Sequence, residues 1–210
     1  MIKTIVLKNI LIIITILCFS SVHAQYEWTP AKVILKNGTS FRGLVKFPMH
    51  SGGLVSIGNT KFKYKKSRKS NIINYGADAL DTVIFGDEQF AIVQYQYVSI
   101  KKNKSVLMEL VTSGIVNLYT RTVSQYSNTF MGNQNFPTST TIDYNAQYYL
   151  KRKEENVATL IAGPNSFASF NYKAKKYFSD CEKIIGYLEN ELYDLNNLTE
   201  LVDDYNLLCE

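Results

Sequence analysis

Three groups of residues in this 210-residue chain could do chemistry: a pair of late cysteines, a dense run of cations and a scatter of carboxylates. Cys181 and Cys209 lie in the closing stretch "SDCEKIIGYLENELYDLNNLTELVDDYNLLC". They could hold a metal, act as nucleophiles or staple a fold. A structural zinc site wants four Cys or His ligands. Beyond residue 24 the chain offers only these two cysteines and His50, so no metal site is expected, and nothing calls for a cofactor. A Ser–His–acid triad would have to use His50, in "FPMHSGG". Adjacent Ser51 is no partner for it, because a triad is assembled in space and neighbours in sequence point apart. Paired acids such as Asp87-Glu88 and Asp203-Asp204 lack calcium-loop spacing. Asp78, Asp81, Glu109 and Asp143 could supply the two carboxylates of a glycosidase.

The N-terminus sets the compartment in which these groups work. Lys3 and Lys8 precede the apolar "NILIIITILCFSS", and "VHA" follows. Basic start, short apolar core and small-residue exit are the parts of a secretory signal peptide, with Ala24 the last residue removed. A lipid on Cys18 and a retained anchor are the alternatives. Leu17 is bulky for a lipidation site, and Ile10–Phe19 is short of the roughly 20 apolar residues of a membrane span. Cleavage leaves 186 residues, 21 cations, 18 acids and two cysteines. The expected location is outside the cytoplasm: periplasm, outer cell envelope or secreted, with no membrane span after cleavage.

In an oxidising compartment the cysteine pair reads as a disulfide. Ser179 with Glu182 makes a capping box, and Cys181, Ile184, Ile185, Leu188 and Leu192 follow on one helical stripe. Asn197 with Glu200 opens a second helix carrying Leu198, Leu201, Val202, Tyr205, Leu208 and Cys209. The short "YDLNN" between them predicts an antiparallel pair. The two cysteines are nearly equidistant from that turn, so they should meet. Phe167, Phe170, Ala174, Tyr177 and Phe178 predict one more helix over 165–178.

The body before the helices reads as strands. Asn37-Gly38 in "KVILKNGTSFRGLVKF" predicts a hairpin. On its second arm Phe41, Gly43, Val45 and Phe47 alternate with Arg42, Leu44 and Lys46. Alternating stretches recur near 54–58, 61–66, 82–86, 89–99, 105–112, 115–123 and 144–151. In the last, Ala146, Tyr148 and Leu150 should face in, with Gln147, Tyr149 and Lys151 out. The expected fold is α+β: an antiparallel β-rich body of eight or nine strands, curled into a partial barrel or open, followed by three C-terminal helices. The expected organisation is a signal peptide at 1–24, a β body at 25–163 and a helical tail at 164–210 packed on it as one domain. Between Ser124 and Asp143 lies a polar stretch of about 20 residues, expected as a long loop. It is either a mobile excursion or a binding loop presenting Tyr126, Phe130, Phe136 and Tyr144.

Charge divides the chain. Residues 25–176 hold 20 cations and nine acids, whereas residues 177–210 hold Lys183 against nine acids. Electrostatic docking of tail on body is the simplest expectation. The densest basic run is "KFKYKKSRK", with Lys61, Lys63, Lys65, Lys66, Arg68 and Lys69. Lys61, Lys63 and Lys65 share one strand face opposite Phe62 and Tyr64. Such a run suits a polyanion without sequence-specific nucleic-acid recognition, or it is a solvated, edge-protecting face.

The combination "LKNGTSFRG", "YYLKRKEE", "YFSDC" and "LVDDYNLLC" resembles exported proteins of unassigned function from Bacteroidetes-type bacteria. The resemblance implies a structural cysteine pair and an envelope location, and implies no activity. Asp81-Thr82-Val83 is also similar to the O-glycosylation acceptor pattern of such bacteria. The expected role is a non-catalytic binding or assembly module of the cell envelope. Its partner is unidentified, with an envelope protein or an acidic polysaccharide as the classes that fit. The alternative is an exported carboxylate-dependent hydrolase acting on a glycan.

Overall fold

The computed structural model describes residues 28–46, 49–50, 53–54, 61–86, 93–129, 139–164 and 167–209. The predicted leader, residues 1–24, lies outside them. Twelve strands and three helices are described. In chain order the strands are β1 (Thr29–Leu35), β2 (Ser40–Lys46), β3 (Met49–His50), β4 (Gly53–Leu54), β5 (Phe62–Lys65) and β6 (Ile73–Tyr75). They continue as β7 (Leu80–Phe85), β8 (Val93–Lys101), β9 (Lys104–Thr112), β10 (Val116–Thr129), β11 (Ser139–Arg152) and β12 (Thr159–Ala162). The helices are α1 (Phe167–Tyr177), α2 (Glu182–Glu189) and α3 (Leu198–Leu208).

Ten of these strands form one open antiparallel sheet in the order β12-β11-β10-β9-β8-β7-β1-β2-β5-β6, and β3 pairs with β4 separately. The α+β, β-rich architecture is therefore as the alternation predicts. The sheet exceeds the expected strand count through β6 and β12, which have three and four residues. Edge strands that short carry too few positions for alternation to register.

The β1–β2 turn is not the two-residue form that an Asn-Gly pair favours. Gly38 alone is left-handed, at φ +82°. Its N–H donates to the Leu35 carbonyl at 2.9 Å, and the Asn37 side chain accepts from the Thr39 N–H at 3.0 Å. Lys36, Asn37 and Gly38 thus make a three-residue loop in which the glycine takes the left-handed position.

Directly paired residues of an antiparallel ladder share a face. One face carries Leu118 and Leu150 near β12, then Tyr95, Val83, Val33, Val45 and Tyr64 toward β6. Near β12 it is covered by the helices. Val116, Leu118, Leu150 and Ile161 pack there with Phe170, Phe178, Ile184, Leu201 and Tyr205. Toward β6 it forms a second core of Val33, Val45, Phe62, Leu80, Val83 and Leu107. The opposite face buries a third cluster, Val98, Val106, Met108, Tyr119, Tyr149 and Ala158. The Ala158 N–H donates to the Ser99 carbonyl at 2.8 Å, tying the residue before β12 to β8.

That third core corrects the predicted pattern of β11. Leu150 is buried as expected, but Ala146 is exposed and Tyr149 is buried on the other face beside Tyr119. Here residues on both faces of the sheet are buried, so simple in/out alternation fails.

The predicted long loop after Ser124 is also corrected. β10 and β11 stay paired from Val116–Arg152 out to Thr129–Ser139. Only Leu118–Thr120 of β10 pairs with β9, and only Tyr148–Leu150 of β11 pairs with β12. Among the described residues no third strand pairs with the remainder, which is a two-stranded ribbon, so no apolar alternation marks it. Thr and Tyr supply its strand preference.

The helical tail holds the predicted disulfide: Cys181 and Cys209 are bonded, with Cα atoms 5.8 Å apart. Each cysteine stands one residue outside its helix, as the N-cap of α2 and the C-cap of α3. The expected capping bonds do not form. The N-cap of α2 is Cys181 rather than the expected Ser179, and neither Cys181 nor Asn197 makes a side-chain cap. Asn197 instead accepts from the Asp194 N–H at 2.6 Å, closing the α2–α3 turn. The tail docks mainly through the apolar core rather than by charge. Among the described residues, the ion pair joining tail to body is Arg152–Asp180 at 2.9 Å. No helix among them is long and apolar enough to cross a membrane.

Candidate polyanion-binding face

The basic run acquires its geometry from the strands around it. Phe62 and Tyr64 of β5 are buried, so Lys61, Lys63 and Lys65 are directed to the opposite face by the two-residue period. Aromatic packing holds that orientation. The Phe62 ring stacks on Tyr75 with centroids 5.4 Å apart, and Tyr64 meets Phe41 edge-on at 4.8 Å. Gly43 makes room for Tyr64: a Cβ there would come within 2.3 Å of its ring.

Tertiary pairing then enlarges the run. Lys63 stands opposite Lys46 and Lys65 opposite Leu44 on β2. Arg42, two positions from Leu44, stands opposite Lys32 on β1. Lys32, Arg42, Lys46, Lys63 and Lys65 therefore share one face of three adjacent strands. Strands are spaced about 4.8 Å apart, so these cations form a grid rather than a line. Lys66, Arg68 and Lys69 are exposed on the turn after β5, beside this grid. Trp28 adds an aromatic plane, with Lys65 Nζ 4.6 Å from its ring centre. Both ion pairs among the described residues run through Arg152, so no described acid forms an ion pair with a grid cation.

Lys32, Arg42, Lys46 and Trp28 fall outside the densest basic run, spread over β1, β2 and the residue before β1. A signal was present: the 50 residues from Trp28 to Ala77 contain ten Lys or Arg and no acid. Only the strand pairing brings the scattered members of that stretch to one face.

The other predicted groups lie elsewhere. Tyr126 and Tyr144 occupy the β10–β11 ribbon, with their side chains outside the described residues, as are Phe130 and Phe136 altogether. His50 lies on β3, its side chain likewise outside. The four carboxylates considered for glycan hydrolysis have different neighbours. Glu109 accepts from the Tyr95 hydroxyl at 3.2 Å, Asp81 from Thr82 at 3.1 Å, and Asp78 lines a cavity with three lysines. The side chain of Asp143 is outside the described residues. Thr82 is 5% exposed, and its hydroxyl also accepts from Gln96 at 3.3 Å. The glycosylation-like tripeptide therefore presents no free acceptor in the folded chain.

A second polar centre, whose members come from separate segments and carry no local motif, is built on Arg152 at the end of β11. Its guanidinium donates to the Tyr177 carbonyl at 3.0 Å, Asp180 at 2.9 Å and the Tyr205 hydroxyl at 3.2 Å. It also lies 4.5 Å from the Tyr177 ring centre. Glu155 and Asp180 each accept a tyrosine hydroxyl, from Tyr177 at 3.0 Å and Tyr205 at 2.7 Å. Burial, then the Glu155 carboxylate, raises the Tyr177 pKa. Burial, then the bond to Asp180, does the same for Tyr205. A groove of about 810 Å³ opens beside this centre. Its central groups are already bonded to one another, which suits a joint between sheet and helices better than a reactive site.

Comparison with protein-family models, curated proteins and solved structures finds no match to this chain.

Proposed function

We propose that the chain is a non-catalytic binding module of the cell envelope, exported after loss of residues 1–24, and that its basic sheet face engages an acidic polysaccharide. The observation that carries this reading is the single-signed grid of Lys32, Arg42, Lys46, Lys63 and Lys65. Natural sheets do place lysines on exposed edges to block pairing, but this grid spans inner strands as well as the edge region. Like charges directly opposite one another, as at Lys46–Lys63, work against the fold. A repeating polyanion relieves that repulsion. The disulfide fits an oxidising compartment, and the N-terminal pattern of residues 1–24 fits export. An extracytoplasmic setting favours a polysaccharide over nucleic acid, and rigid strands offer a diffuse charge array rather than base-edge contacts.

Binding of the mature protein to a polyuronate and to a neutral glucan of similar length tests this. The polyuronate should bind at low ionic strength and weaken steeply toward about 0.15 M salt, where screening acts within about 8 Å. The neutral glucan should not bind. Changing Lys46, Lys63 and Lys65 together to Gln should remove most of the affinity. No binding at low salt, or binding that survives the triple change, refutes the reading.

A further inference from the structure

A separate cavity of about 330 Å³ lies where the β6–β7 turn meets the β8–β9 turn. Its walls are Lys61, Gly76, Ala77, Asp78, Tyr97, Lys102, Asn103, Lys104 and Ser105, and Lys61 also leads into β5 of the basic grid. Three cations from two distant segments thus face one carboxylate. None of the three makes an ion pair with Asp78 among the described residues.

The walls are held in place. The Gly76 carbonyl accepts from the Ala79 and Leu80 N–H groups at 3.2 and 3.0 Å. Lys36 reaches across from the β1–β2 turn, its Nζ donating to the Ala77 carbonyl at 2.5 Å and its N–H to Ala79 at 2.9 Å. On the other side Lys101 pairs with Lys104 across the β8–β9 turn, and Ser99 bonds Ser105 at 3.0 Å. Gly76 keeps the floor open. A Cβ there would lie 2.8 Å from Asp78 Oδ1 and 3.7 Å from the Lys61 stem. Burial pushes the Tyr97 hydroxyl up to about 12, so it stays neutral.

The mixture of groups narrows the ligand. A bare phosphate would meet the lysines but also the Asp78 carboxylate, and like charges repel. A sugar acid meets both: its carboxylate suits the lysines, and its hydroxyls suit Asp78, Asn103 and Ser105. The volume is at the lower end for ligand pockets, about 300–1,000 Å³, which suits a single ring. We propose that this cavity is a subsite for one acidic sugar unit, its carboxylate held by Lys61, Lys102 and Lys104 and its hydroxyls by Asp78, Asn103 and Ser105. The proposal deepens the polysaccharide reading above and rests on it for the nature of the polymer. The grid attracts the chain through diffuse charge, and the cavity recognises a unit of it.

Titration of the mature protein with monomeric glucuronate, glucose and inorganic phosphate, followed by amide NMR shifts, tests the subsite. Glucuronate should shift residues 76–79 and 102–105, glucose should not, and phosphate should bind more weakly than glucuronate. The double change Lys102→Gln with Lys104→Gln should weaken glucuronate binding about tenfold or more, the scale of one lost charge-assisted hydrogen bond. The triple grid variant should leave it unchanged. Shifts confined to other regions, phosphate binding as tightly as glucuronate, or indifference to the double change overturns the subsite. A wild-type protein that binds glucuronate here but no polyuronate would overturn the polymer reading while leaving the subsite standing.

Discussion

At the β12 end of the sheet, Arg152 is surrounded by the Tyr177 and Tyr205 rings, Asp180, Glu155 and a main-chain carbonyl. At the β5 end, Lys63 faces Lys46, with Arg42 and Lys32 beyond. Both regions are basic at their centre, yet they handle charge in opposite ways. The first satisfies its cation internally and joins sheet to helices with it. The second leaves its cations without ionic partners among the described residues, while the opposite side of the same strands builds a core of Phe62, Tyr64 and Tyr75. Charge that is internally bonded contributes to stability, whereas charge of one sign gathered on an exposed face is available to an external ligand.

Substitution separates the two roles. Arg152→Ala should have the largest effect on stability, a loss of about 3 kcal/mol in chemical denaturation. That is the low end of the range for a buried pair, because Arg152 is largely buried but Asp180 is exposed. Polyuronate binding by the folded fraction should persist. If Arg152→Ala leaves the unfolding midpoint unchanged, the joint is not structural and the groove beside it regains interest as a binding site.

Changing Cys181 and Cys209 together to Ala should cost about 2–4 kcal/mol and should also spare binding at low temperature. Non-reducing peptide mapping should recover a linked Cys181–Cys209 peptide from the native protein. Free thiols in that map would contradict the staple.

Alkaline titration sharpens the contrast further. Burial raises the folded pKa of Tyr177, Tyr205, Tyr95 and Tyr97, the last to about 12. A raised folded value means the unfolded chain releases its tyrosine protons first, at about 10. The stability these neutral hydroxyls contribute is therefore fully present below pH 10 and is lost as pH rises from there toward the folded values. Thermal melts should hold their midpoint from pH 7 to about pH 9 and fall steeply above pH 10. A midpoint independent of pH through that range would mean these hydroxyls are solvated.

The smallest effect belongs to the grid. Lys63→Glu should not lower the melting temperature, because it replaces a like-charge pair with an opposite one across the strands. It should nonetheless weaken polyuronate binding. A clear loss of stability would make the lysine structural and weaken the functional reading.

Much of this was legible in the sequence because it depends on local periodicity and connection length. Asn37-Gly38 marks the first hairpin, apolar stripes mark three helices, and equal arms about "YDLNN" bring Cys181 to Cys209. Helix caps were less legible, since Asn197 uses its side chain to close the preceding turn. Strand pairings and their registers had no local signature. They decided that Tyr149 is buried against Tyr119, that the polar stretch after Ser124 continues as a paired ribbon, and that β12 is tied near β8. They also decided the candidate site. The sequence alone determined that the stretch from Trp28 to Ala77 is rich in cations and free of acids. Only the tertiary structure placed Lys32, Arg42, Lys46, Lys63 and Lys65 on one face and Lys61, Lys102 and Lys104 around one cavity. The physical reason is that a two-residue period sets which side of its strand a residue takes, while the neighbours across the sheet are set by pairing between segments far apart in the chain.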